Sequence, residues 1–166
     1  YSFYCRNGEI LNGYGHKRIA EYPITGGSST YREGYKNPKM IMMASKIVRY
    51  LNYTGFAMFE YKLTSENELY LIEVNPRIWG SINQGLVNGI NYFQGVLGKE
   101  DKPIIKVSTD KKTFLSPLIY LSIFRHLINF EIQPLYFFLK NIRNNIPDVS
   151  LFYDYKGYLS LLLRKL

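Results

Sequence analysis

The sequence predicts an α+β protein: a mainly antiparallel sheet with packed helices, followed by a helical C-terminal extension. Three observations predict it. Short apolar runs separated by hairpin-length turns fill both ends of the first 75 residues. A single well-capped helical repeat lies between them. After Gly98 the character changes, and from Phe114 to Leu139 the chain is dense in Leu, Ile, Phe and Tyr. The division expected is therefore residues 1–98 as a mixed α+β lobe and 99–166 as linker and helical extension.

With 166 residues, 46% of them apolar, the chain can bury one core, or one core plus a short extension. Charged residues make up 20% and aromatics 16%, which excludes wholesale disorder and collagen-like repeats. The single cysteine, Cys5, excludes an internal disulfide framework and any multi-cysteine metal site. It fits a reducing, cytoplasmic compartment. The opening Tyr1-Ser2-Phe3-Tyr4-Cys5-Arg6 has none of the regions of a signal peptide and reads like the inside of a strand. The chain is thus expected to be a piece of a longer protein.

A net charge of +8 invites a nucleic-acid partner. Residues 1–98 hold ten Lys or Arg against seven Asp or Glu, and residues 99–166 hold eleven against six. No run of five basic residues occurs, and such a dispersed excess reads as a solvated surface rather than a nucleic-acid groove. The uncharged stretch from Thr113 to Phe124 is too short to span a bilayer. Membrane contact is not expected either, although the basic tail leaves it imaginable.

The elements follow in order. Ser2 to Cys5 is a strand, and Asn7-Gly8 is a two-residue hairpin signal, with Ile10 to Tyr22 as the returning strand. Pro23 to Thr30 is a loop by composition. Asn37-Pro38 opens a helix, Asn as cap and Pro at the first position, with Ile41, Ala44, Ile47, Val48 and Leu51 on its buried face. It ends near Asn52. Phe56 to Leu63 and Glu68 to Asn75 form a hairpin about the turn Thr64 to Asn67. A short helix follows Trp79-Gly80 and ends at Asn88-Gly89. Residues 99–112 are expected to be a linker or an exposed edge strand around Ile104 to Val107. Two amphipathic helices parted near Pro134, and a third at Tyr158 to Leu166, complete the chain.

The hairpin carries the chemistry. Glu60 stands in one apolar strand and Glu73 in the next, two residues before Asn75, so Glu73 and Asn75 share a face. A four-residue turn sets position 60 roughly opposite 72 to 74. Two carboxylates and an amide oxygen make a hard-oxygen patch suited to magnesium. Arg77, just beyond, could place a guanidinium fork on a phosphate or acyl-phosphate oxygen. The plainer alternative is that Glu60 and Glu73 face solvent or pair with Lys17, Arg18 or Lys62. His16, His126 and Trp79 read as surface or packing residues, and Cys5 as a small buried one.

The run Phe59-Glu60-Tyr61 followed by Leu71-Ile72-Glu73-Val74-Asn75-Pro76-Arg77 resembles the metal-binding end of the ATP-grasp superfamily. The upstream run from Gly15 to Glu33 and the later Trp79-Gly80-Ser81 and Gly89 to Phe93 are similar to its carbamoyl-phosphate synthase large-subunit and D-aspartate-type carboxylate–amine ligase branch. The resemblance spans about residues 1–97. It implies that Glu60, Glu73 and Asn75 hold Mg2+ (or Mn2+) on the phosphates of ATP, and that Arg77 stabilises the transferred phosphoryl group. It implies that Ile72 lines the adenine pocket, that Ile24, Thr25, Gly26 and Gly27 lie over phosphate or acceptor, and that Lys17 and Arg18 line the anionic cleft. Without the resemblance, the glycine loop is a connection, and Lys17 and Arg18 are surface charges.

The implied activity is ATP-dependent ligation. A carboxylate is phosphorylated, and an amine, ammonia or thiol then displaces phosphate. The N-terminal lobe of such enzymes, with its phosphate-binding lysine and adenine-binding strand, has no counterpart before Tyr1. This chain would then offer half a nucleotide site, be inactive alone, and either pair with the missing lobe or self-associate. A second function class stays open: a non-catalytic nucleotide-binding or assembly module whose basic aromatic tail meets a partner or membrane surface.

Overall fold

In the computed structural model, residues 1–98, 110–148 and 154–163 are described. The strands are β1 (Ser2–Arg6), β2 (Glu9–Tyr14), β3 (His16–Tyr22), β4 (Ser28–Gly34), β5 (Gly55–Leu63), β6 (Leu69–Asn75), β7 (Lys112–Phe114) and β8 (Asn145–Pro147). The α-helices are α1 (Pro38–Tyr50), α2 (Asn83–Leu86), α3 (Phe93–Val96), α4 (Leu118–Ile128), α5 (Gln133–Lys140) and α6 (Tyr155–Leu163). The mixture is α+β, as the sequence predicts.

The described residues group into two compact units, one from Tyr1–His16 and Gly34–Ser108, the other from Lys17–Glu33 and Thr109–Leu166. The segment Lys17–Glu33 thus keeps company with the C-terminal helices rather than with the hairpin of Glu60 and Glu73.

In the first unit a sheet runs β2-β1-β5-β6, antiparallel throughout. Asn7 and Gly8 both take positive φ, 50° and 76°, the twist that joins β1 tightly to β2. Helix α1 is capped by Asn37, whose Oδ1 accepts the Lys39 N–H at 3.0 Å, with Pro38 at its first position. Its core face is Met40, Ala44 and Val48. The expected Leu51 is exposed, because the helix has ended and Asn52 turns left-handed at φ 47°. Those side chains pack with Phe3, Cys5, Ala57 and Phe59 on one face of the sheet. Full burial of a Met or Val stabilises the fold by about 1.5–3 kcal/mol. The other face holds Tyr14, Trp79, Ile90 and Tyr92, packed with Phe56 and Met58. Trp79 meets Tyr92 edge-on, centroids 5.1 Å apart, and is a packing residue.

In the second unit the order is β3-β4-β7-β8, with β7 antiparallel to β4 and parallel to β8. Tyr31, Phe114, Ile119 and Ile123 form its core, and Phe137 and Phe138 pack on it. Arg32, fully buried, pairs with Asp148. Tyr31 donates from its hydroxyl to Asn145 Oδ1 at 2.7 Å.

Several expectations are corrected. The returning strand does not run unbroken to Tyr22: β2 ends at Tyr14, and β3 enters a different sheet. A Cβ on Gly15 would stand 2.2 Å from Tyr35 O, so the chain turns there on a glycine with no room for a side chain. Ser28 to Thr30 belong to β4, not to a loop. Lys112–Phe114 is a buried strand, and β8 went unforeseen. The two helices expected to part near Pro134 do so at Asn129 to Ile132, and Pro134 stands in the first turn of α5. Helix α6 starts at Tyr155, and the strand read at Ile104 to Val107 lies outside the described residues.

Candidate functional site

Strands β5 and β6 pair Met58 with Asn75, Phe59 with Val74 and Glu60 with Glu73. The register then slips, and Tyr61 faces Leu71. Ile72 is the extra residue, a β-bulge. This slip builds the site. Leu69, Leu71, Glu73 and Asn75 are alternate residues that a regular strand would point one way. Yet Leu69 and Leu71 pack on the α1 side, while Asn75 reaches Glu60 on the other. The bulge turns Glu73 and Asn75 onto the face of Glu60 and Met58.

Residues directly opposed on one face carry Cβ atoms about 4.5–5.5 Å apart, so the two carboxylates are neighbours. Asn75, 7% exposed, donates from Nδ2 to Glu60 Oε1 at 3.5 Å. Its Oδ1 accepts from Arg77 Nη2 at 3.1 Å. Arg77 also donates from its backbone N–H to Asn75 O (2.9 Å) and from Nη1 to Ile78 O (3.2 Å), which holds the guanidinium against the strand end. Glu60 is half-buried and Glu73 exposed. The donor set of two carboxylates and one amide oxygen suits a hard divalent cation. Among the described residues no cluster of three His, Cys, Asp or Glu is gathered as for a closed metal cage. An open two-carboxylate patch is what magnesium uses when phosphate and water complete its shell.

Next to this patch, Met58 Sδ accepts from Ser81 Oγ at 3.9 Å, and Ser81 Oγ meets His16 Nε2 at 3.1 Å. His16 thus stands in a polar contact on the same face as Asn75. No spacing signal could have shown this, since the partners are 65 residues apart. His126, in the second unit, pairs through Nδ1 with Glu131 Oε2 at 2.6 Å.

The remaining candidates divide by unit. Ile72 is 65% exposed on the outer strand of its sheet. Lys17, Arg18 and the Ile24 to Gly27 turn belong to the second unit. Arg18 Nη1 donates to Glu21 Oε2 (2.7 Å) and to Gly27 O (3.2 Å), so it clasps the turn. Gly27 closes the turn through its N–H on Pro23 O (2.7 Å), and a Cβ there would stand 2.1 Å from Pro23 N. Gly26, at φ 114°, has open space above it. The turn's own closure accounts for Gly27, and Lys17 is exposed.

Burial pushes the Cys5 thiol up to about 11, against a smaller opposing pull from the Gly55 carbonyl contact. Its Sγ donates to Tyr53 O at 3.3 Å. It is an inert core thiol.

An acidic pair, an amide and a guanidinium thus stand together at one end of the hairpin. The family model of the carbamoyl-phosphate synthase L chain, ATP binding domain, matches residues 29–85 of the 166. Over that stretch, from β4 through α1 and the hairpin to α2, the chain is related to the ATP-grasp superfamily. The match contains Glu60, Ile72, Glu73, Asn75 and Arg77, and leaves out Lys17, Arg18 and the Ile24 to Gly27 turn. No curated protein and no solved structure matches the chain.

Proposed function

We propose that this chain supplies the metal-holding wall of an ATP- and magnesium-dependent carboxylate–amine (or thiol) ligase that works through an acyl phosphate. The observation that supports it most is the Glu60–Glu73 register, with Asn75 and Arg77 bonded in series beside it. Two like charges set opposite each other destabilise a hairpin, and a cation shared between them removes that cost. The family match over the same residues supports ATP as the nucleotide.

In this reading Glu60, Glu73 and Asn75 hold the ion, which when bound supplies charge neutralisation on the phosphates. Asn75 currently presents Nδ2 to Glu60 and Oδ1 to Arg77; turning the amide over offers Oδ1 to the ion. Arg77 is then released from Oδ1 to place its fork on the transferred phosphoryl oxygens, where charge develops. Ile72 offers apolar contact at the open strand edge for a flat base.

The test is magnesium-dependent ATP turnover by the complete protein, comparing Glu73→Gln with Glu66→Gln in the hairpin turn. The proposal expects loss of at least a hundredfold in the first and little change in the second. Equal activity in both would end the assignment.

A further inference from the structure

Helix α4 carries apolar residues on two opposite faces, with Ser122, Arg125 and His126 its polar positions. Its inner face, Leu118, Ile119 and Ile123, is buried in the core of the second unit. Its outer face repeats Tyr120, Phe124 and Ile128, four apart and each more than half exposed. A soluble helix covers its outer face with charge; one apolar on both faces is built to be covered again. The corner after it goes further. Phe130 is 94% exposed and held at φ 60°, a left-handed backbone that a large side chain rarely adopts, with exposed Ile132 beyond. The fold accepts backbone strain to hold an aromatic ring out in water.

The charge along α4, α5 and the turn that follows says what covers this surface. From Leu118 to Pro147 the exposed cations are Arg125, Lys140 and Arg143, against Glu131 alone, which is engaged by His126. Lys140 lies along the exposed Tyr136 ring, its Nζ 5.8 Å from the centroid, so an apolar stem and a cationic head share one strip of surface. A second copy of the chain would bring the same excess of cations to the contact, with only Glu131 to set against it. An exposed apolar corner with Arg125 a turn before it, continued along α5 by Ile132 and Tyr136 to Lys140, matches the boundary between lipid headgroups and acyl chains.

We propose that the α4–α5 corner docks on a bilayer surface bearing anionic headgroups, with Phe130 and its neighbours Ile128 and Ile132 entering the acyl boundary. No described helix is long and apolar enough to cross a membrane, so the contact is peripheral. From the sequence, membrane contact is not the expected reading, and only the basic aromatic tail leaves it open. The contact of Lys140 with the exposed Tyr136 ring, on the helix that leaves the apolar corner, is visible only in the fold. This inference is independent of the acidic hairpin and its proposed ligand.

The test is sedimentation of the full chain with vesicles of phosphatidylcholine and phosphatidylserine, and of phosphatidylcholine alone. Binding to the anionic vesicles is expected, weakening with salt, with at least tenfold less on the neutral ones. Phe130→Asn suits the left-handed backbone and removes the ring. It should lower anionic-vesicle affinity tenfold or more with no loss of thermal stability. Lys140→Gln with Arg143→Gln should abolish the preference for phosphatidylserine. Tyr50→Ser, equally exposed but on α1, should change nothing. No vesicle binding, or binding indifferent to Phe130→Asn, would overturn the proposal. Concentration-dependent self-association that Phe130→Asn abolishes, without vesicle binding, would assign the corner to a second copy instead.

Discussion

Glu60 and Glu73 are direct cross-strand partners, and the ladder slips by one residue immediately beside them, at Ile72. The slip is what separates the hairpin's packing from its chemistry. On one side of it Tyr61, Leu69 and Leu71 pack toward α1, and Tyr61 donates from its hydroxyl to Met40 O at 3.1 Å. On the other side, the acidic pair and Asn75 share the opposite face.

That relationship predicts a trade between stability and function. In the absence of divalent cations, Glu73→Gln removes a like-charge opposition and should stabilise the fold by about 0.2–1 kcal/mol. Urea denaturation in chelator, with an unchanged slope, measures it. The gain should vanish in saturating magnesium-ATP. A destabilised variant under chelation would show that the two carboxylates do not repel.

The second unit is pinned by a buried charge pair. Arg32 is held below its ordinary pKa by burial and raised back by Asp148, so the pair stands or falls together. Asp148→Ala should cost about 3–5 kcal/mol, because it strands a buried guanidinium. Arg32→Met combined with Asp148→Leu should recover most of that loss. Additive losses in the double variant would mean that each residue acts through other contacts.

Cys5 sets an alkaline limit. Its folded pKa is raised above the unfolded value, so the thiol's contribution to stability is intact below pH 9 and is lost as pH climbs from 9 toward 11. Cys5→Ala should flatten that part of the stability curve. Alkylation of the native chain at pH 8 should be slow and limited by opening. Rapid labelling would contradict the buried thiol.

Much of this was legible beforehand, and the exceptions have physical causes. Asn7-Gly8 and Asn37-Pro38 act through local backbone chemistry, so a turn and a helix start could be read from a few residues. The Glu60–Glu73 opposition followed from a turn length. The bulge also leaves a trace. Apolar residues fall on odd positions at Leu69 and Leu71 and on even ones at Ile72 and Val74, a change of phase within one strand. By contrast, β7 and β8 are three-residue strands whose partners are far away in sequence, and Arg32 meets Asp148 across 116 residues. Long-range pairing of this kind has no local signature. The placement of Lys17–Glu33 with the C-terminal helices is of the same sort, and a boundary drawn from composition alone does not foresee it.

The most direct test of the account is where a cation goes when nucleotide is present. Manganese can replace magnesium on oxygen ligands, and its paramagnetism broadens nearby nuclear resonances even at partial occupancy. In a heteronuclear spectrum of the chain with ATP and substoichiometric manganese, the amide signals of Glu60, Glu73 and Asn75 should broaden first. Those of Glu66 and Glu68 in the turn should persist, and Glu73→Gln should cancel the effect. Broadening centred elsewhere, or unchanged by Glu73→Gln, would contradict a metal site on this hairpin.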